Sequence, residues 1–131
     1  MENNRRKIFA ISGSTRVNST NSNLLRWIVE LYGEQLDIEL FEHIAHLPMF
    51  NPDLDGDHVP DIIAELREKI QDADGVIICT PEYVFSLPGA LKNLLEWTVS
   101  TTVFSDKPVA LITASDQEKG LRNSLRSSCG R

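Results

Sequence analysis

Residues 75–93 read GVIICTPEYVFSLPGALKN, and this stretch decides the fold. Its first part, GVIICT (75–80), is a short, nearly continuous apolar run. Strands covered on both faces, as in parallel sheets, have this composition, whereas a strand with one wet face alternates. The part that follows places Pro, Glu, Tyr, Ser, Pro and Gly within the nine positions 81–89 before a helical pattern begins. A plain strand-to-helix connection needs a turn residue or two. A loop of this make-up is built to hold something.

Outward from this stretch, KIFAI (7–11) and PVALIT (108–113) are apolar runs of the same kind, while LDIELFE (36–42) alternates as an edge strand does. Helical stripes lie between them. Leu24, Leu25, Ile28, Leu31 and Tyr32 share one face and stop at Gly33. Ile63, Leu66 and Ile70 follow Pro60 as a first-turn residue, and Leu91, Leu94, Leu95 and Thr98 follow Pro88-Gly89. The order βαβαβαβ predicts an α/β fold, a doubly wound parallel sheet in three layers with right-handed crossovers. Residues 43–58, HIAHLPMFNPDLDGDH, form one long irregular segment, and such loops are often functional.

Composition narrows the classes of function. A chain of 131 residues makes one domain, residues 1–131, with room for a single core. Its net charge of −6 repels nucleic-acid backbones and anionic membranes, so neither is an expected partner. No apolar run is of membrane-spanning length, and the N-terminus lacks a signal-peptide pattern. Cys79 and Cys129 form no CxxC; Cys79 sits inside an apolar run and reads as structural, and a cytoplasmic, reducing compartment is expected. DLDGD (53–57) hints at calcium, but Ala64 stands where an EF-hand needs Glu. His43, His46 and His58 lack metal-ligand spacing, so no metal is expected. No Ser or Cys carries the signature of an activated nucleophile, and no catalytic side chain is assigned.

In an open parallel sheet, ligands sit at the carboxyl ends of the strands beside the point where strand order reverses. The loops after residues 11, 80 and 113 should therefore converge. The first, SGSTRVNSTN (12–21), holds one Gly and fits neither GxGxxG nor GxxxxGK[ST]. Ser12, Ser14, Thr15, Arg16, Ser19, Thr20 and Asn21 supply hydroxyls, an amide and a guanidinium at a helix N-terminus. That set suits one dianionic phosphate, and it also suits a plain capping loop. In the second loop Pro81, Glu82, Tyr83 and Phe85 suit a flat heteroaromatic ring with polar edges, or else a rigid turn with its rings packed on the core. The third, ITASDQEKG (112–120), offers Ser115 and Gly120. A phosphate cradle beside an aromatic slot describes a site for a mononucleotide with a large ring.

GSTRVNSTN (13–21), TPEYVFSLPGALKNLLEW (80–97) and KPVALITAS (107–115) resemble the motifs of the NADPH-dependent FMN reductase family, over about residues 7 to 115. The pattern PEY-x-x-S-x-P-G-x-L-K-N-x-x-x-W is far more specific than a lone glycine motif. The resemblance implies a flavodoxin-like fold and FMN as cofactor, with NADPH (or NADH) as hydride donor. It also implies a small-molecule electron acceptor, whether quinone-like, azo or oxidised metal. It implies that Ser14, Arg16, Ser19 and Asn21, with Thr15 and Thr20 in the same stretch, hold the phosphate. Pro81, Glu82, Tyr83, Val84 and Phe85 border the isoalloxazine ring, and Ser115 belongs to the loop after the fourth strand. Asn51 falls in the substrate-side loop. Val84 stands where the family usually has Asn, although a backbone N–H remains there. The family commonly forms dimers or tetramers with the segment around Asn93 to Trp97 near the interface, so a homodimer or homotetramer is expected. A non-catalytic flavin-binding or interaction module is the alternative.

Against the flavodoxin-like pattern, the fifth strand and last helix are expected to be missing, leaving a C-terminally incomplete domain. RNSLRSSCGR (122–131) is polar and contains no apolar strand, and residues 116–126 allow at most a short helix. The fourth strand should then present a bare edge, and the sheet should lose cover on the first helix's side.

Overall fold

The apolar runs become the strands of one sheet. In the computed structural model residues 5–16, 19–81, 88–114 and 124–129 are described, Ala114 and 124–129 by backbone alone. β1 (Arg6–Ser12) lies between β2 (Leu36–Phe41) and β3 (Gly75–Pro81), and β4 (Pro108–Ala114) follows β3. All three of these pairings are parallel. Period-two alternation sorts the side chains to two faces. Phe9, Ile11, Val76 and Ile78 pack with α2 (Asp61–Asp72) and α3 (Gly89–Val99) through Ile63, Leu66, Ile70, Leu91, Leu94 and Trp97. Ala10, Cys79 and Ile112 pack on the other face against Leu25 of α1 (Thr20–Tyr32), with Leu24 and Ile28 beside them. Helices on both faces of a parallel sheet give the three-layered, doubly wound architecture predicted.

The C-terminal segment departs from expectation. The parallel part of the sheet does stop at four strands, and among the described residues no helix follows β4. Yet 124–129 is a strand, β5 (Ser124–Cys129), pairing antiparallel with β4 from Pro108↔Cys129 to Thr113↔Ser124. The edge of β4 is therefore paired. A hydrogen-bonded ladder needs only backbone groups, so a polar sequence can close an edge that an apolar pattern search passes over. On the first helix's side of the sheet Ala10, Cys79 and Ile112 are buried, while Trp27, Leu31 and Tyr32 of α1 itself are about half exposed.

The long segment after β2 is irregular in sequence but firmly held. It contains 3₁₀ turns at Ile44–His46 and Pro52–Leu54. The Pro48 carbonyl accepts from Asn93 Nδ2 (2.9 Å) and Trp97 Nε1 (2.8 Å), and the Phe50 N–H donates to Asn93 Oδ1 (2.7 Å). The Phe50 ring meets Trp97 edge-on, with centroids 5.0 Å apart. Farther along, Arg67 pairs with Asp55 at 2.9 Å and also donates to the Trp97 carbonyl, while the Ser100 hydroxyl donates to Asp55. The hydrogen bonds from Ser100 and then Arg67 hold the Asp55 carboxyl below its ordinary range. The acidic run DLDGD thus supplies a structural anion for Arg67.

Two outcomes test this packing. Asn93→Ala removes the partner of a part-buried N–H and one of two donors to Pro48. It should destabilise the fold by about 2–3 kcal/mol in denaturant unfolding, and Asn93→Asp, which keeps the acceptor, should cost less. A loss under about 0.5 kcal/mol would show that the segment does not depend on this contact. Separately, burial pushes the Cys79 thiol up from 9.0 to about 12. A raised folded pKa means stability that is complete below the unfolded pKa and is lost as pH climbs between these values. The wild type should lose stability over pH 9 to 12, and Cys79→Ala should lose less; identical alkaline profiles would contradict the burial.

Candidate functional site

The turn after β1 is set by close approach to β3. The Gly13 N–H donates to the Cys79 carbonyl at 2.7 Å. A Cβ at residue 13 would lie 3.1 Å from that oxygen and 3.3 Å from Thr80 Cα, both backbone atoms that cannot swing aside. A side chain there would make the β3 backbone give by a few tenths of an ångström, and glycine avoids that crowding.

From Gly13 the chain runs into α1 through a set of hydroxyls. Ser14 is buried, and its Oγ accepts from the Arg16 N–H at 3.2 Å. Thr15 and Arg16 are exposed. Ser19 is the N-cap of α1, its Oγ accepting from the Ser22 N–H at 3.1 Å. Ser19 Oγ also donates to Ser22 Oγ (3.2 Å), which lies 3.2 Å from Ser12 Oγ. Thr20 opens the helix. Asn21 is buried, its Oδ1 accepting from the Cys79 thiol at 3.1 Å. Residues 12–22 contain no Asp or Glu in a chain of net charge −6. Hydroxyls, an amide, one guanidinium and the positive end of a helix, without a competing carboxylate, form a donor set that fits a phosphate monoester. Ser14, Thr15, Arg16, Ser19, Thr20 and Asn21 are the residues that could hold such a group.

The structure thus brings the described residues of the first loop, 12–16 and 19–22, to the carboxyl edge of the sheet, where β1 is flanked by β2 and β3. Pro81 ends β3 opposite Ala114 of β4, at the same edge. Glu82, Tyr83, Val84, Phe85 and Ser115 lie outside the described residues. Asn51 is exposed in the segment after β2, where its Oδ1 accepts from the Asp53 N–H at 3.0 Å and caps the turn Pro52–Leu54. Beside it Met49 is 80% exposed although both its neighbours are anchored to α3. Ser22 was not among the residues singled out from the sequence; its signal is the S-x-x-S spacing from Ser19, which puts both hydroxyls on the first turn.

A groove of about 750 Å³ opens elsewhere, between β2 and α2. Asp37, Glu39, Glu65, Glu68 and Asp72 line it with Lys7 and Lys69, and none of the residues above does. Its carboxylates disfavour a phosphate, so size alone does not make it the site for a nucleotide.

Comparison with known proteins agrees with the loop. Residues 6–128 match the family described as NADPH-dependent FMN reductase. The NADH:(hydroxy)cinnamate reductase subunit CrdA of Vibrio ruber is 43% identical over 107 residues, covering 81% of this chain and 52% of that protein. An NAD(P)H-dependent FMN reductase of Pseudomonas aeruginosa is 37% identical over 111 residues, covering 83% and 60%. Among solved structures, the flavoenzyme NAD(P)H:(acceptor) oxidoreductase FerB from Paracoccus denitrificans superposes with a TM-score of 0.77 at 32% identity. That match covers 86% of this chain and 63% of FerB. The chain therefore spans 52% to 63% of the length of these relatives. It belongs to the NADPH-dependent FMN reductase family and has a flavodoxin-like fold.

Proposed function

We propose that this chain is a single FMN-binding domain of an NAD(P)H-dependent oxidoreductase that reduces small quinone-like acceptors. The observation that carries the reading is the acid-free hydroxyl and guanidinium loop (12–22) at the N-terminus of α1, positioned by the Gly13–Cys79 contact. Relatives named as an FMN reductase and an NADPH:quinone oxidoreductase, at 37% and 38% identity, support the same direction.

The division of labour follows from the residues. Arg16 and the hydroxyls of Ser14, Thr15, Ser19 and Thr20, with the Asn21 amide, bind the phosphate and fix the nucleotide's position. By family resemblance, Pro81, Glu82, Tyr83, Val84 and Phe85 border the ring, with backbone N–H groups at its polar edge, and Ser115 closes the neighbouring loop. Asn51 stands on the substrate side. When bound, FMN would supply the two-electron redox chemistry, with NADPH or NADH as the hydride donor. Azo compounds and oxidised metals are further candidate acceptors. No side chain is assigned as general acid, because solvent can protonate reduced products. We place the protein in the cytoplasm as a homodimer or homotetramer, in keeping with a family whose members commonly assemble; among the described residues no helix is long and apolar enough to cross a membrane.

A non-catalytic flavin-binding module would share the loop and differ in turnover. Purified protein loaded with FMN should be yellow and should bleach on addition of NADPH or NADH. A yellow protein that neither nucleotide bleaches would favour the module. Arg16→Ala removes one charge-assisted hydrogen bond and should weaken FMN binding about 10- to 100-fold in fluorescence titration, with unfolding unchanged. Equal affinity in the variant would take Arg16 out of the site.

A further inference from the structure

One buried residue touches both ends of the loop that wraps the proposed phosphate position. The Cys79 carbonyl accepts from Gly13, where the loop begins. The Cys79 thiol donates to Asn21 Oδ1, where the loop has become helix. In the sheet Cys79 stands directly opposite Ser12. Its side chain is fully buried, and Asn21 is 3% exposed. Among the described residues the thiol is the one partner of the Asn21 side chain, and Nδ2 has none.

A carboxamide is nearly symmetric in shape but opposite in polarity at its two ends. Whichever end faces an anion decides whether Asn21 attracts or repels it. Here the choice is visible in the contact itself: the Cys79 thiol donates to Oδ1, so the oxygen end of the amide is the one turned to the sulfur. We infer that Cys79 is a positioning residue for the phosphate of the bound nucleotide: its thiol holds Asn21 with Oδ1 turned inward, leaving Nδ2 as the donor offered at the start of α1. The inference rests on the FMN reading proposed above and extends it to a residue that makes no ligand contact. Burial keeps the thiol protonated at neutral pH, with its pKa pushed up to about 12, so the donor is always present. It also makes this cysteine a poor nucleophile, which separates the role from redox or covalent chemistry.

The role predicts a loss confined to the phosphate. FMN and riboflavin share the ring and ribityl chain and differ in that group, so their affinities should be titrated side by side by flavin fluorescence. Wild type, Cys79→Ala, Cys79→Ser, Asn21→Ala and the double variant Cys79→Ala/Asn21→Ala make the set. Cys79→Ala should weaken FMN roughly tenfold, the order of one good hydrogen bond, while riboflavin changes by less than about twofold on the same scale. Cys79→Ser, which restores a donor, should recover most of the FMN affinity. With Asn21 already alanine, the Cys79 change should add nothing. Should Cys79→Ala not fold, Cys79→Val removes the donor while filling the space. Equal losses for the two flavins, a serine variant no better than alanine, or additive effects in the double variant would reduce Cys79 to core packing. FMN bound by the wild type with an unchanged FMN-to-riboflavin ratio in Cys79→Ala would overturn this inference alone. Wild type that binds no FMN would overturn the functional reading, and this inference with it.

Discussion

The position of β1 between β2 and β3 is the constraint on which the rest of the structure depends. Parallel pairing on both sides sends α1 back across one face and α2 across the other. The chain leaving β1 therefore has open space at the carboxyl edge and a helix N-terminus pointing into it. Gly13 makes the geometry possible, because any Cβ there would press on the backbone of β3 at 3.1 to 3.3 Å. The same contact ties the loop to Cys79, so the proposed phosphate side inherits the rigidity of the central strands. A loop pinned in this way enters binding partly ordered, which lowers the entropy cost of closing on a ligand.

The opposite side of the edge depends on α3. Asn93 and Trp97 grip residues 48 and 50 and leave Met49 projecting into solvent beside Asn51. Arg67 reaches from α2 to the end of α3 and to Asp55, so the segment is held at two places.

Much of this was legible in the sequence, for identifiable reasons. GVIICT and PVALIT are strands because continuous apolar runs of that length fit a sheet covered on both faces, and the structure pairs them as β3 and β4. Ser19 caps α1 as a serine ahead of an apolar stripe should. β5 escaped notice because backbone ladders leave no mark on a polar sequence. The ordered path of residues 43–58 was hidden because it is set by Asn93, Trp97 and Arg67, which lie distant in sequence; HIAHLPMFNPDLDGDH by itself has no periodicity. Its apolar run marks Cys79 as a buried residue, and it is buried. Its bond to Asn21 spans 58 positions and no local pattern announces it. The ring-side residues 82 to 85 and Ser115 rest on the resemblance alone.

The central claim is that the loop from Gly13 to Ser22, and no other surface, receives the phosphate of a flavin mononucleotide. Titrating ¹⁵N-labelled protein with FMN and mapping the backbone amide shifts tests it most directly. The account predicts that the largest shifts fall on residues 13–22 and around the carboxyl end of β3, while amides of β2 and α2 along the acidic groove stay silent. Shifts concentrated on 36–41 and 61–72, or no saturable shifts at all, would contradict it.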